Sequence, residues 1–205
     1  KPDGSKEVAF DANSDGITFL SAPIEDNTEV TGPAMAKLRI SSSTPDADLF
    51  VVFRVFDPEE NEIVFQGAID PHTPIAQGWL RASQRKLDAD VSQPWRPYHS
   101  HDEVQPLTPG EPVDVEIEIW PTCLVIPAGY RIGFTVRGTD YEYAKATGAR
   151  QSNFKNELKG CGPFLHNDPR DRPDSIFGGR TTLHTGPESD NARTSLATSS
   201  VSAQT

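Results

Sequence analysis

Apolar and polar residues alternate along several short stretches of this chain, and a period of two residues predicts β-strands. The clearest case is DLFVVFRVFD, in which Leu49, Val51, Phe53 and Val55 alternate with residues that are themselves mostly apolar. A strand with two apolar faces is buried on both sides, so this one is predicted to lie at the centre of a sheet.

A second kind of strand is apolar on one face only. In AMAKLRISSS the apolar positions run from Ala34 to Ile40 in steps of two, and Lys37 and Arg39 face the other way. In VDVEIEIW the apolar positions of 113–119 alternate with acidic residues. Such strands place one face on a core and the other in water. They predict sheets with one buried and one solvent-facing side.

The strand-like segments are short, and helical periodicity is almost absent. The chain has 18 Pro and 15 Gly in 205 residues, which suits many strands joined by turns. A chain of this length can hold one sizeable sandwich core. The sequence therefore predicts an all-β protein, a sandwich or a barrel, with long loops and few helices.

The predicted domain covers residues 1–186. Between 141 and 180 the alternation gives way to a long polar loop, which inside a compact domain is usually functional or packed as its own unit. Residues 187–205 read PESDNARTSLATSSVSAQT, and this Ser/Thr-rich composition has too little apolar surface to offset the entropy of ordering. We expect this segment to be a flexible tail.

The charge balance narrows the classes of partner. Acidic residues number 30 against 19 basic ones, and the net charge of −11 repels phosphate backbones, so nucleic acid is not an expected partner. No apolar run approaches the roughly 20 residues of a membrane helix, and the N-terminus lacks a signal core, so no membrane partner is predicted. The cytoplasm is favoured, although the compartment stays open. Cys123 and Cys161 either form one bridge or stay reduced.

Several segments together resemble one known family. They are ITFLSAPIEDNTEVTGP, SSSTPDADLFVVFRVFDPE, GWLRASQRKLD, LTPGEPVDVEIEIWPTCLVIPAGYRIGFTV, GPFLHNDPRDRP and GGRTTLHTG, within residues 15–186. The chain resembles the C-terminal non-catalytic domain of the X-Pro dipeptidyl-peptidase and cocaine esterase (CocE/NonD) family of α/β-hydrolases. The resemblance implies a jelly-roll β-sandwich of the galactose-binding-domain-like kind, in agreement with the strand pattern.

The resemblance also implies a role. Intact enzymes of the family carry an α/β-hydrolase domain with a Ser-Asp-His triad, a helical cap and this sandwich, whereas this chain contains no G-x-S-x-G nucleophile elbow. The resemblance implies an accessory domain that is not catalytic by itself and needs no cofactor. Its partner would be a catalytic α/β-hydrolase domain, in the same or a separate chain. It would buttress an acyl esterase or Xaa-Pro dipeptidyl-peptidase and help shape its active-site entrance. The alternative is a free-standing jelly-roll module that binds carbohydrate or a protein partner.

The end of the chain departs from the family. Relatives typically continue past the HTG segment into a final apolar strand, whereas Pro187 and a Ser/Thr-rich run follow here. A sandwich that lacks its last strand exposes an edge, and an exposed edge invites pairing with another chain. The sequence is therefore compatible with a homo-oligomer formed through that edge.

One local basic cluster stands out in the acidic chain. It consists of Trp79, Arg81, Arg85 and Lys86. The cluster is interpreted either as a surface that docks the hydrolase domain or covers its entrance, or as a strand end whose charges are paired with Asp88 and Asp90.

Two small groups have residue types that bind metals. His99 and His101 lie on one side of an extended segment, which suits zinc or copper, and Asp46 and Asp48 lie at a loop end, where carboxylates can hold Ca²⁺. The neighbouring sequence supplies no third His or Cys, and the acidic spacing is not that of an EF-hand. The sequence therefore predicts no metal site.

Overall fold

The computed structural model describes residues 6–66, 72–143 and 172–186, and the backbone of 195–203. The elements of these ranges are β1 (Lys6–Asp11), β2 (Ile17–Leu20), β3 (Thr28–Ser42), β4 (Asp48–Phe56), β5 (Glu62–Ile63), β6 (Ala76–Arg81), a 3-10 turn (Ala82–Gln84), β7 (Val113–Ile126), β8 (Arg131–Arg137), α1 (Asp174–Phe177), β9 (Arg180–Thr185) and β10 (Ser195–Ala203). The predicted all-β class is confirmed. No helix in the described ranges has the length and apolar character that crossing a membrane requires.

The first sheet is built around β3. Strand β7 pairs antiparallel with one edge of β3, from Thr28 opposite Ile126 to Ile40 opposite Val113. The other edge of β3 is shared end to end by β10 and β9, and β1 pairs with the far side of β9. All of these pairings are antiparallel, so the sheet needs no crossover helix.

The second sheet is built around β4. Strand β8 pairs with one edge of β4, strands β6 and β5 share the other edge, and β2 lies outside β8. Nearly every side chain of β4 is buried, on both faces of the sheet. The prediction that DLFVVFRVFD forms a central strand is confirmed.

The core lies between the two sheets. Alternate residues of β3 and β7 meet alternate residues of β4, and such interdigitating inner faces make a β-sandwich. The outer face of β3 and β7 is polar, with Lys37 paired to Glu116 and Arg39 to Asp114. The largest fully buried side chains are Leu38, Ile40, Leu49, Val51, Val52, Val55, Val115, Ile117, Ile119, Ile126, Val136 and Leu183.

The outer face of the second sheet is also covered. Phe50 and Val52 point away from the core, and both are buried. Tyr141 packs on Val52, and the Arg172 guanidinium lies 5.8 Å from the centre of the Phe50 ring. The residues that follow β8 and those that precede β9 therefore cover this face, which explains why β4 is apolar on both sides.

The structure corrects the prediction of a tail for 195–203, while 187–194 and 204–205 lie outside the described residues. Ser195–Ala203 do not form a flexible tail; they form β10, which pairs with β3 from Ser195 opposite Lys37 to Ala203 opposite Thr28. An open strand edge offers backbone donors and acceptors to any extended segment, whatever its side chains, so a Ser/Thr-rich run can pair with it. Strand β10 therefore covers this edge of β3.

Candidate functional site

Strand β6 presents the aromatic and first basic residue of the predicted cluster. Its residues alternate between buried and half-buried, so Trp79 and Arg81 face outward while Leu80 faces the core. Gly78 lies against β7 so closely that a Cβ atom at this position would stand 1.8 Å from the carbonyl oxygen of Glu118. This contact brings Trp79 beside Trp120 of β7, with ring centres 5.0 Å apart in an edge-to-face arrangement.

Arg81 is held by a buried carboxylate. Its Nε and one terminal nitrogen donate to the two oxygens of Asp48, at 2.9 and 3.1 Å, and its guanidinium lies 4.4 Å from the centre of the Phe177 ring. The second cation on this carboxylate is Arg172, whose Nε lies 2.8 Å from Asp48 Oδ2. We call Asp48, Arg81 and Arg172 the Asp48 cluster. It ties the chain before α1 to the second sheet.

The two remaining cations also have partners within the chain. Lys86 lies 2.9 Å from Asp102 and 3.1 Å from Glu103, and hydrogen bonds to these carboxylates raise the pKa of its amino group. The guanidinium of Arg85 donates to the carbonyl oxygens of Ala82 and Gln105. The cluster is thus internally paired, with Asp48, Asp102 and Glu103 in the place of the predicted Asp88 and Asp90.

The two aspartates named as metal candidates are used in other ways. Asp46 Oδ1 accepts hydrogen bonds from the backbone N–H groups of Ala47 and Ser83, both at 2.9 Å. Asp48 is bound by two guanidinium groups. Both carboxylates are buried, and their contacts join the turn before β4 to the end of β6.

The two histidines lie near each other without forming a ligand set. Their ring centres are 6.2 Å apart. His99 Nε2 donates to the carbonyl oxygen of Glu116 at 3.0 Å, and burial lowers the pKa of the ring. Across the described part of the chain, no group of three or more His, Cys, Asp or Glu side chains is arranged to hold a metal ion.

The structure also joins a serine, a histidine and a carboxylate on the outer face of the first sheet. Ser41 Oγ lies 2.9 Å from His184 Nε2, and His184 Nδ1 lies 3.3 Å from Glu7. Ser41 is buried in a regular ladder opposite Thr182, not on a strained elbow that exposes its hydroxyl to a substrate. The three side chains connect β3, β9 and β1.

Another carboxylate with a buried side chain, that of Glu62, was not anticipated from the sequence. Glu62 of β5 accepts two hydrogen bonds from the Arg54 guanidinium and one from the Tyr141 hydroxyl, at 3.0 Å. Burial, reinforced by Glu62, raises the pKa of Tyr141 well above its usual range. Tyr141 is far from Glu62 in the sequence, so no local motif signals their contact.

The outward-facing surface between β6 and β7 contains a cleft of 320 Å³. We call it the aromatic cleft; it is lined by Phe65, by 73–77 and by 120–123. Phe65 is 42% exposed and Trp120 is 45% exposed. None of its lining residues carries a charged side chain, although the chain as a whole is strongly acidic.

A β-bulge aims Trp120 toward this cleft. Gly32 pairs with Thr122 and Ala34 pairs with Ile119, so Trp120 and Pro121 together oppose the single residue between Gly32 and Ala34. Bulges of this kind bend a strand and redirect a side chain. Gly32 has a φ of 108°, a value that other residues adopt only with strain.

The fold and these contacts define an all-β sandwich domain, and comparison with known proteins gives the family. A family model described as the X-Pro dipeptidyl-peptidase C-terminal non-catalytic domain matches residues 1–192, so the chain belongs to that family. The resemblance inferred from the sequence is confirmed.

Curated relatives are much longer than this chain. Proteins named "Putative serine esterase" in Mycobacterium bovis and Mycobacterium tuberculosis are each 31% identical over 129 residues. The match covers 60% of this chain and 19% of each relative. The chain thus spans about a fifth of their length.

Solved structures share the fold. A CocE/NonD family hydrolase from Staphylococcus aureus superposes with a TM-score of 0.77 at 24% identity, over 94% of this chain and 32% of that one. An α-amino acid ester hydrolase superposes with a TM-score of 0.54 at 16% identity, over 90% of this chain and 31% of that one. At these identities the likeness shows the sandwich fold alone.

Proposed function

We propose that this chain is the accessory β-sandwich domain of a serine hydrolase, of the acyl esterase or Xaa-Pro dipeptidyl-peptidase type. It buttresses the catalytic α/β-hydrolase domain and helps shape the active-site entrance, and it is not catalytic by itself. The observation that carries the proposal is the match of residues 1–192 to a non-catalytic domain family. We further infer that the sandwich is a jelly roll of the galactose-binding-domain-like kind.

The absence of a nucleophile elbow supports this role. The sequence contains no G-x-S-x-G motif, and Ser41, which hydrogen-bonds a histidine, is buried within a strand ladder. Acyl transfer needs a serine presented to substrate together with donors for the developing oxyanion. Ser41 is not presented in this way, because it is buried in the ladder between β3 and β9.

The face of β6 is the proposed side of contact with the catalytic domain. It carries Trp79 and Arg81, and Arg85 and Lys86 follow the 3-10 turn at its end. Arg81 and Lys86 are paired with acidic side chains and Arg85 with backbone carbonyl oxygens, so the three cations shape this surface through contacts within the chain. Trp79, which is half-buried against Trp120, is the member of the set with apolar area to offer.

Activity measurements test the non-catalytic part of the proposal. The purified chain is expected to hydrolyse neither nitrophenyl esters nor Xaa-Pro amides above the rate of a heat-denatured sample. The catalytic portion, assayed with and without the chain, is expected to gain stability or activity from it. Turnover by the chain alone that a serine-directed inhibitor abolishes would refute the accessory role.

The aromatic cleft also favours a second candidate, a free-standing binding module. An exposed tryptophan in a concave, uncharged site can stack on the face of a sugar ring, and a 320 Å³ volume is within the range of small-ligand sites. Glycan-array binding by the chain at low micromolar affinity, lost in Trp120→Ala, would support this candidate over the first.

Self-association through a strand edge remains a separate proposal. Because β10 covers this edge of β3, the strand edge that a second copy would meet at this place is that of β10 itself. Light scattering of the chain, with a proline at Thr198 as the edge-blocking variant, tests whether copies pair there.

A further inference from the structure

The aromatic cleft has the composition of an interface core. Cores of protein interfaces are enriched in tryptophan, tyrosine and phenylalanine and depleted of charge. The cleft combines two exposed aromatic rings, Phe65 and Trp120, with proline and aliphatic neighbours, and its lining is free of charged side chains. On a chain with a net charge of −11, an uncharged concavity of this kind is a selective surface for an apolar, neutral partner.

The cleft is also held in shape before any partner arrives. Trp120 is aimed by the bulge opposite Pro33 and is supported edge-to-face by Trp79. Trp79 is in turn positioned by the close approach of Gly78 to the backbone at Glu118. An aromatic side chain that is already fixed loses little conformational entropy on binding, which is the property of an interface anchor.

A charged border lies beside the cleft on β7. Arg96 pairs with Glu118 at 3.6 Å, two residues before Trp120 along the strand. Residues that surround an apolar anchor and exclude water from it increase the contribution of the anchor to the binding free energy. In the basic cluster, Arg81 and Lys86 are paired with Asp48, Asp102 and Glu103, and Arg85 with backbone carbonyl oxygens, so these side chains are already engaged within the chain.

We propose that the aromatic cleft is the docking point of the catalytic portion, which places an uncharged, apolar segment against Trp120 and Phe65. This inference rests on the proposed function and names the surface through which it acts. The occupant follows from family and length: the family is described as a C-terminal non-catalytic domain, and the chain spans only 19–32% of the relatives compared above. A catalytic portion is therefore the partner for which such a domain has an interface.

Cys123 provides a probe inside the cleft. It lines the cleft, and its thiol is exposed. In a Cys161→Ser background, the rate at which N-ethylmaleimide labels Cys123 is measured by mass spectrometry, with and without saturating catalytic portion. The partner is the catalytic α/β-hydrolase portion that the proposed function assigns to this chain, produced separately. We expect labelling to slow by about tenfold or more in the complex, because docked atoms exclude the reagent.

A control thiol separates local cover from general effects. In a Cys123→Ser, Cys161→Ser background, Asp114→Cys places a thiol on the outer face of the first sheet, away from the cleft. Its labelling rate is expected to be the same with and without the catalytic portion. Equal protection of both thiols would overturn the proposal, because it would mean that the effect does not arise at the cleft.

Two tryptophan variants give a second, independent readout. Trp120→Ala is expected to weaken association by about 30-fold or more, as for a buried aromatic anchor. Trp95→Ala is the matched control, since Trp95 is 40% exposed but does not line the cleft, and it is expected to stay within about threefold of the unaltered chain. Unfolding midpoints check that both variants fold. If Trp120→Ala does not fold, the labelling of Cys123 still tests the proposal.

The outcomes separate this inference from the proposed function. Protection of Cys123 together with loss of affinity in Trp120→Ala supports both. Tight association with an unprotected Cys123 and an unaffected Trp120→Ala overturns the cleft as docking point and leaves the accessory role standing. No association of the unaltered chain overturns the accessory role itself, and glycan binding at the cleft in its place would favour the free-standing module.

Discussion

The Nε atom of Arg172 lies 2.8 Å from the buried carboxylate of Asp48, and Arg81 binds the same carboxylate from β6. One acid at the start of β4 therefore holds two cations that come from different parts of the chain. Arg172 also donates to the carbonyl oxygen of Gly138, just after β8. The contact fastens the residues before α1 over the outer face of the second sheet.

Replacing this acid tests how much the Asp48 cluster stabilises the fold. Asp48→Asn keeps the shape but leaves the buried Arg172 without a counter-charge, and breaking a buried pair in this way costs about 3–5 kcal/mol. The free energy of unfolding, measured by urea titration, is expected to fall by that amount. Asp114→Asn breaks the exposed pair with Arg39 and is expected to cost under about 1 kcal/mol. Equal losses in the two variants would contradict the structural role given to Asp48.

The contact between the two sheets at Gly78 predicts a second effect. In Gly78→Ala the added methyl group would meet the Glu118 carbonyl oxygen, so the backbone of β6 or β7 must move. Overpacking of this kind costs about 1–3 kcal/mol or more, and it displaces Trp79 from Trp120. Near-ultraviolet circular dichroism should therefore change along with the unfolding midpoint. Gly110→Asn, at a position with open space but a φ of 82°, should lower the unfolding midpoint less and leave the near-ultraviolet spectrum unchanged.

His99 makes stability depend on pH in the mildly acidic range. Burial lowers the pKa of its ring in the folded protein, while in the unfolded chain the ring has its ordinary pKa of about 6.5. The unfolded state therefore binds more protons below that value, and the free energy of unfolding falls as pH drops through it. His99→Gln can still donate to the Glu116 carbonyl but does not titrate.

Urea unfolding at several pH values between neutrality and mild acidity measures this effect. The unaltered chain is expected to lose stability more steeply than His99→Gln as the pH falls. Parallel slopes for the two proteins would show that His99 is not the group responsible.

The buried Tyr141 is expected to make the stability of the fold depend on pH in the alkaline range. Its hydroxyl donates to Glu62, and burial raises its pKa in the folded protein. The unfolded tyrosine loses its proton at about pH 10, so the free energy of unfolding should fall as pH rises through that value. Tyr141→Phe is expected to lose about 1 kcal/mol at neutral pH and to show a flatter alkaline dependence. An alkaline slope that the substitution leaves unchanged would contradict this assignment.

Much of the fold could be predicted from local pattern. The strands around Leu49 and Val115 were predictable because burial of one or both faces imposes a period of two on the residues themselves. The strand at Ser195–Ala203 could not be predicted in this way, because its pairing depends on the open backbone edge of β3 and not on its own side chains. Composition alone therefore suggested a tail where the structure has a strand.

In the candidate site, too, residues that are close in the chain could be predicted and contacts between distant residues could not. The basic cluster was visible in the sequence because Arg81, Arg85 and Lys86 are close in the chain. Their partners Asp48, Asp102 and Glu103 were not, because long-range pairing is set by where the strands and loops meet.

The sequence by itself determined the family, the all-β class and the lack of a nucleophile elbow, since motifs and strand periodicity depend on residues that are neighbours in the chain. Only the tertiary structure decided which charges are satisfied and which surface is left to bind. Trp79 and Trp120 are 41 positions apart by their numbering, and they meet because Gly78 lets β6 approach β7. The aromatic cleft therefore exists only once the two sheets have packed.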